Sequence, residues 1–133
     1  MAKKRVFLSF RAEDKQQVQG LRLMAANDKF DIEFFDESVR TPIDSNNQEY
    51  IRRKIREKIN RTSVTVCLIS TETYTSDWVN WELQESFDKG NTVIAMALKG
   101  VTNAILPALI KKNNVTFHGW DPDHLAQLID NAP

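Results

Sequence analysis

Short apolar runs alternate along the chain with segments in which apolar residues recur every three or four positions, so strands and helices are expected to take turns. Arg5 to Phe10 (RVFLSF) is a β-rich run, and Asp14 to Ala26 then carries Val18, Leu21 and Ala25 at helical spacing. Ile32 to Phe35 (IEFF) is a second run, followed by a loop from Asp36 to Asn47 rich in Asp, Ser, Asn and Pro. Between Gln48 and Asn60, Ile51, Ile55 and Ile59 stand four apart among charged residues, which predicts an amphipathic helix. Ser63 to Ser70 (SVTVCLIS) is almost unbroken apolar sequence, as in the buried centre of a parallel sheet. The loop Thr71 to Asp77 leads into a helix that Gly90 ends as a C-terminal cap. Thr92 to Leu98 is another buried strand, Ala104 to Lys112 a short helix or turn, Val115 to Phe117 a last strand, and Pro122 to Asn131 a closing helix.

Strands that alternate with helices imply right-handed crossovers and a parallel sheet covered on both faces. The expected architecture is a single domain over residues 1–133, an α/β three-layer sandwich with a flavodoxin-like parallel five-stranded sheet in the order 2-1-3-4-5. In that order the switch point lies between the first and third strands, and ligands bind at their carboxyl ends. The loops Phe10 to Asp14 and Ser70 to Asp77 converge there, and the loop Asp36 to Asn47 hangs at the same edge in a position to act as a lid.

Composition narrows the function classes. Hydrophobic residues at 41% and charged residues at 27% describe a globular chain, and no apolar run approaches the roughly 20 residues needed to span a bilayer. The basic start MAKKR precedes an apolar stretch too short for a signal peptide, so a cytoplasmic location is expected. Lysine plus arginine and aspartate plus glutamate both total 18, which leaves no electrostatic footprint for nucleic acid. His118 and His124 have no companions at metal-ligand spacing, so no metal is expected. Cys67, the single cysteine, lies inside VTVCLIS and reads as a buried core thiol. With 4 glycines and no GxGxxG or Walker pattern, a glycine-built phosphate cradle is not expected. The third strand ends without the aspartate of a receiver domain, and Arg11 to Asp14 cannot form a flavodoxin phosphate loop.

The stretch STETYTSDWVNWELQES, Ser70 to Ser86, contains one residue that looks out of place. With Ser76 or Asp77 as N-cap, Val79, Leu83 and Phe87 form the face that packs on the sheet. Glu82 then lies on the flank of that face above Ser86, while Glu85 points nearly the opposite way, toward solvent. Burying a carboxylate costs several kcal/mol unless something pairs with it. Two readings stand together here: Glu82 is a satisfied structural acid, or it borders the crevice as a functional group.

Two segments resemble the TIR (Toll/interleukin-1 receptor) domain family. VFLSFRAEDKQQV, Val6 to Val18, is similar to the opening strand and loop of plant TIR domains, which begin VFLSFRGED. ISTETYTSDWVNWEL, Ile69 to Leu83, resembles the TIR succession of a strand end, then tyrosine, serine and tryptophan, then Glu-Leu. The W-V-x-x-E form and the ending VTFHGWDPDHLAQLIDNA resemble stand-alone microbial TIR-like proteins, including those of Thoeris antiphage defence. Val79, where plant TIRs usually have cysteine, fits the microbial branch, whereas Ala12, in place of a glycine, could narrow the pocket.

The resemblance implies an enzyme that cleaves the nicotinamide-ribose bond of NAD+, which is then substrate and not cofactor, releasing ADP-ribose or a cyclic or modified ADP-ribose signal for a downstream effector. Glu82 matches the essential acid of the W-x-x-x-E pattern. By the same carry-over Phe10 would stack on the nucleotide and Arg11 contact its phosphate or ribose, against readings of strand-end core residue and surface cation. Ser76 would contact ligand or cap the helix, Trp78 would border the site or pack beneath the helix, and Asp36 with its loop would gate the pocket or mediate TIR-TIR association into homo-oligomers. The competing class is a noncatalytic TIR-like interaction module, and a third is an enzyme resembling nucleoside deoxyribosyltransferases.

Overall fold

The computed structural model describes residues 4–25, 32–35 and 48–133, with side chains outside 22–25, 32–35 and 48. Strands β1 (Lys4–Phe10), β2 (Ile32–Phe35), β3 (Val64–Ile69), β4 (Thr92–Ala97) and β5 (Phe117–His118) form one sheet in the order β2-β1-β3-β4-β5. All four pairings are parallel. The helices are α1 (Lys15–Ala25), α2 (Gln48–Asn60), α3 (Asp77–Lys89), α4 (Ala108–Lys112) and α5 (Pro122–Asp130). This is the expected α/β sandwich with its switch point between β1 and β3.

Strand alternation divides the core in two. Val6, Leu8 and Phe10 of β1 join Val64, Val66 and Leu68 of β3 on one face, where Val18 and Leu21 of α1 and Leu125 and Ile129 of α5 cover them. The other parity turns Phe7 and Ser9 of β1 and Cys67 and Ile69 of β3 toward α2, α3 and α4. There Phe7 meets Ile51, Ile55 and Ile59 of α2, while Cys67 and Ile69 meet Val79 and Leu83 of α3 and Ile110 of α4. Each fully buried side chain of this size is worth roughly 1.5–3 kcal/mol, so both helical layers are held by the sheet and not by helix propensity.

Helix ends follow local chemistry. The Ser76 hydroxyl accepts from the Val79 amide at 3.2 Å and starts α3, and Gly90 ends it at φ 91°, a conformation that favours glycine. Asp121 caps α5 by accepting from the His124 amide at 3.1 Å, with Pro122 in the first turn. Two boundaries differ from expectation. The short helix or turn expected over Ala104 to Lys112 is a helix that starts only at Ala108, because Pro107 biases the residue before it away from helical geometry. The last strand is Phe117–His118 and not Val115 to Phe117: Asn114 takes a positive φ of 54° after α4, and pairing with Ala95 and Met96 begins only at Phe117.

Candidate active site

The site is built where β1 and β3 end. Ser9 and Cys67 are register partners on the face turned toward α3, and Glu82 projects from the second turn of α3 onto that face. The Ser9 hydroxyl donates to Glu82 Oε1 at 2.7 Å, and both residues are fully buried. A short O–H to carboxylate bond of this kind is charge-assisted and offsets part of the desolvation cost of the acid. Burial, with the Glu82 charge second, pushes the Cys67 thiol well above its ordinary range, so the cysteine is an inert core group here.

One turn further along α3, Ser86 shares a 2.7 Å hydrogen bond with Thr65 of β3. Asn91 donates to Thr65 at 3.2 Å and to Thr62 at 3.0 Å. Helix α3 therefore meets the sheet through two short polar contacts, one to β1 and one to β3, between apolar flanks. This fixes where the Glu82 carboxylate sits more tightly than packing alone would.

The two loops expected to converge do so. Ser70 donates to Asp14 Oδ2 at 2.7 Å, and the Ser70 amide donates to Thr73 Oγ1 at 2.7 Å. Arg11 spans the same gap, with Nε 2.7 Å from Glu13 and a guanidinium nitrogen 3.0 Å from Glu72. Arg11 is thus at the junction of the two loops, already engaged by two carboxylates.

The remaining expected site residues separate. Phe10 is 1% exposed and packs with Val18, Leu21 and Leu68 on the face opposite Glu82, so the structure gives it the core role and not an open stacking surface. Ser76 acts as the N-cap of α3. Trp78 packs against the Phe7, Ile51, Ile55 and Ile59 cluster, edge-on to Trp81 at 5.9 Å, with Arg52 lying 5.9 Å from its ring. Asp36 lies outside the described residues. Glu85 points outward, as expected: it is 23% exposed and paired with Arg56 of α2 at 3.2 Å. The surface-paired glutamate of α3 is therefore Glu85, and Glu82 is the buried one.

Ser9 went unnoticed in the sequence, although a signal was present. In RVFLSF the period of two puts Ser9 opposite Phe10, a hydroxyl on the inner face of an otherwise apolar strand. Among the described residues no three histidine, cysteine or acidic side chains are grouped to hold a metal. No helix of the described residues is long and apolar enough to cross a membrane.

A family model for the TIR-like domain of Thoeris protein ThsB matches residues 7–103. Over 129 residues the chain is 30% identical to a protein of Bacillus cereus (strain MSX-D12) provisionally named cyclic ADP-D-ribose synthase ThsB1. That match covers 90% of this chain and 60% of the relative, so the chain spans less than two thirds of the relative's length. Among solved structures, the TIR domain of the Toll-related receptor TRR-2 from Hydra magnipapillata superposes with a TM-score of 0.67 at 20% identity, covering 95% of this chain and 98% of that one. The Clostridium botulinum CMP N-glycosidase BcmB gives 0.58 at 18% identity over 96% and 99%. The TIR domains of the activated Roq1 resistosome give 0.55 at 21% over 71% and 57%. These three share the fold.

Proposed function

The chain belongs to the TIR-like domain family of Thoeris ThsB proteins, and from that membership we propose that it cleaves the N-glycosidic bond between nicotinamide and ribose in NAD+. The products are ADP-ribose or a cyclic or modified ADP-ribose signal, in keeping with the name of the Bacillus cereus relative. The observation that carries the reading is the Ser9–Glu82 pair at the carboxyl end of β1, on the acid of the W-x-x-x-E pattern.

Departure of nicotinamide leaves positive charge on the ribose, and a carboxylate held in a low-dielectric setting stabilises it strongly. Nicotinamide leaves as a neutral molecule, so no strong general acid is needed. Glu82 supplies the negative charge and accepts from ribose hydroxyls, and Ser9 orients it. Arg11 contacts phosphate or ribose by exchanging Glu13 or Glu72 for the substrate. Asp36 and its loop gate the pocket or join copies of the chain into a homo-oligomer that completes the site. The signal then reaches a downstream effector in antiphage defence, in the cytoplasm, with NAD+ as substrate and no other cofactor.

A second reading has its own support. Glu82 is wholly buried and hydrogen-bonded, which is also what a structural acid in a noncatalytic TIR-like interaction module looks like. Incubation of the purified chain with NAD+, with CMP and with deoxynucleosides in separate reactions, followed by chromatography, distinguishes the classes. The proposal expects nicotinamide from NAD+ and no free base from the others. Base release from CMP or a deoxynucleoside alone would move the chain to nucleotide or nucleoside chemistry, and silence toward every substrate would favour the interaction module.

A further inference from the structure

A concave site lies across the sheet from Glu82. A groove of about 470 Å³ opens between α1 and α5, near the carboxyl ends of β4 and β5, lined by Gln17, Gly20, Leu21, Lys99, Trp120 and Pro122. Its volume is in the range of small-molecule sites, and its make-up, mostly apolar with a few polar groups, is theirs as well.

Three residues define what fits. Gly20 is in the interior of α1, where glycine weakens a helix relative to alanine. A Cβ built there meets no atom within 4 Å, so packing inside the chain does not require the glycine and the space beside it is open. Lys99 is exposed and, among the described residues, is the single charged side chain lining the groove. Trp120 is half-buried, its indole packed against the α1/α5 core and bordering the same space. An indole wall, a vacant strip of helix backbone and one cation form a complementary surface for a flat ring bearing an anionic group.

We propose that this groove binds a small planar aromatic anion, with the ring against Trp120 over Gly20 and the anionic group at Lys99. A nucleobase carrying a phosphate and a simple aromatic carboxylate share this chemistry. The site is separate from Glu82, since α1 and α5 cover the face of the sheet opposite to α3.

The test follows the indole N–H signals of the 3 tryptophans by NMR in the ¹⁵N-labelled chain, with Trp120→Phe identifying the Trp120 signal. AMP and benzoate probe the two forms of the ligand, adenosine the ring alone and inorganic phosphate the anion alone. AMP or benzoate is expected to shift the Trp120 signal, with adenosine and phosphate about tenfold weaker or more. Gly20→Ala is expected to unfold at the same or a higher temperature, because nothing clashes with the added methyl, yet to bind at least about tenfold more weakly; Lys99→Ala weakens binding similarly. Nicotinamide release is unchanged in both variants, so this result stands or falls apart from the NAD+ reading. The proposal is overturned if neither AMP nor benzoate moves the Trp120 signal, or if Gly20→Ala binds as the parent does. A change in self-association of Gly20→Ala without probe binding would instead assign the groove to a second copy of the chain.

Discussion

Ser9 on β1 and Glu82 on α3 stand 73 positions apart in the chain, yet their side chains meet in a 2.7 Å hydrogen bond with both residues at zero exposure. This contact places a carboxylate one residue inside the carboxyl end of β1, the end at which the two loops converge. Ser9→Ala removes the donor while keeping the strand. Since losing a hydrogen bond to a buried charged group costs about 1–3 kcal/mol, the urea midpoint of Ser9→Ala should fall accordingly. If Ser9 orients the acid, nicotinamide release should fall by up to about 100-fold, the scale of a misplaced catalytic group, with KM little changed. A drop in stability with undiminished release would make the contact structural only.

The other glutamate of α3 serves as a control. Glu85 pairs with Arg56 at the rim between α2 and α3, and that partner holds the Arg56 guanidinium above its ordinary range. Rim pairs of this kind are worth about 0.2–1 kcal/mol. A double-mutant cycle of Arg56→Ala and Glu85→Ala should give a coupling in that range, weakening with salt, and Glu85→Ala should keep its nicotinamide release.

Cys67 links the core to pH. Its folded-state pKa lies above that of the unfolded thiol, chiefly through burial and further through Glu82. The contribution is therefore complete below the unfolded thiol's pKa near 8.5 and is lost as pH rises, at about 1.4 kcal/mol per pH unit once the unfolded chain ionises. Urea unfolding of the parent and of Cys67→Ala between neutral pH and pH of about 10 checks this. The difference between the two stability curves should narrow with that slope, and a constant difference would rule the coupling out. A thiol reagent at neutral pH should modify the unfolded chain far faster than the folded one.

Gly90 ends α3 at φ 91°, with its amide bonded to the Ser86 and Phe87 carbonyls. There is room for a methyl group, so the cost of Gly90→Ala is the strained backbone alone, about 1 kcal/mol. A melting temperature lowered by a few degrees is expected, and no loss would mean that the helix end relaxes.

Much of the fold could be read from periodicity, because each element buries a face set by its own local spacing. Ile51, Ile55 and Ile59 at intervals of four give α2, the unbroken Val64–Ile69 run gives the central strand, and Ser76 and Gly90 bracket α3. The candidate site was legible only in part. Helical spacing put Glu82 beside the buried stripe, but the hydroxyl that bonds its carboxylate comes from Ser9, and no local pattern joins residues that distant. Phe10 shows the reverse: the family resemblance offered it a stacking role beside that of a strand-end core residue, and the alternation of β1 points it into the opposite core. Arg11 kept its place at the loop junction, yet its carboxylate partners come from Glu13 and from the distant Glu72, a charge balance that only the folded chain displays.

The decisive measurement is nicotinamide release from NAD+ by the concentrated parent chain and by Glu82→Gln, with circular dichroism showing both folded. Glutamine keeps the size and can still accept from Ser9, but it carries no charge. If Glu82 stabilises the ribosyl cation, the parent releases nicotinamide and Glu82→Gln loses at least about 100-fold, the scale of removing a preorganised electrostatic group. Undiminished release by Glu82→Gln, or none by the parent even at high concentration, would contradict a catalytic Glu82 and leave it as the buried acid that fastens α3 to β1.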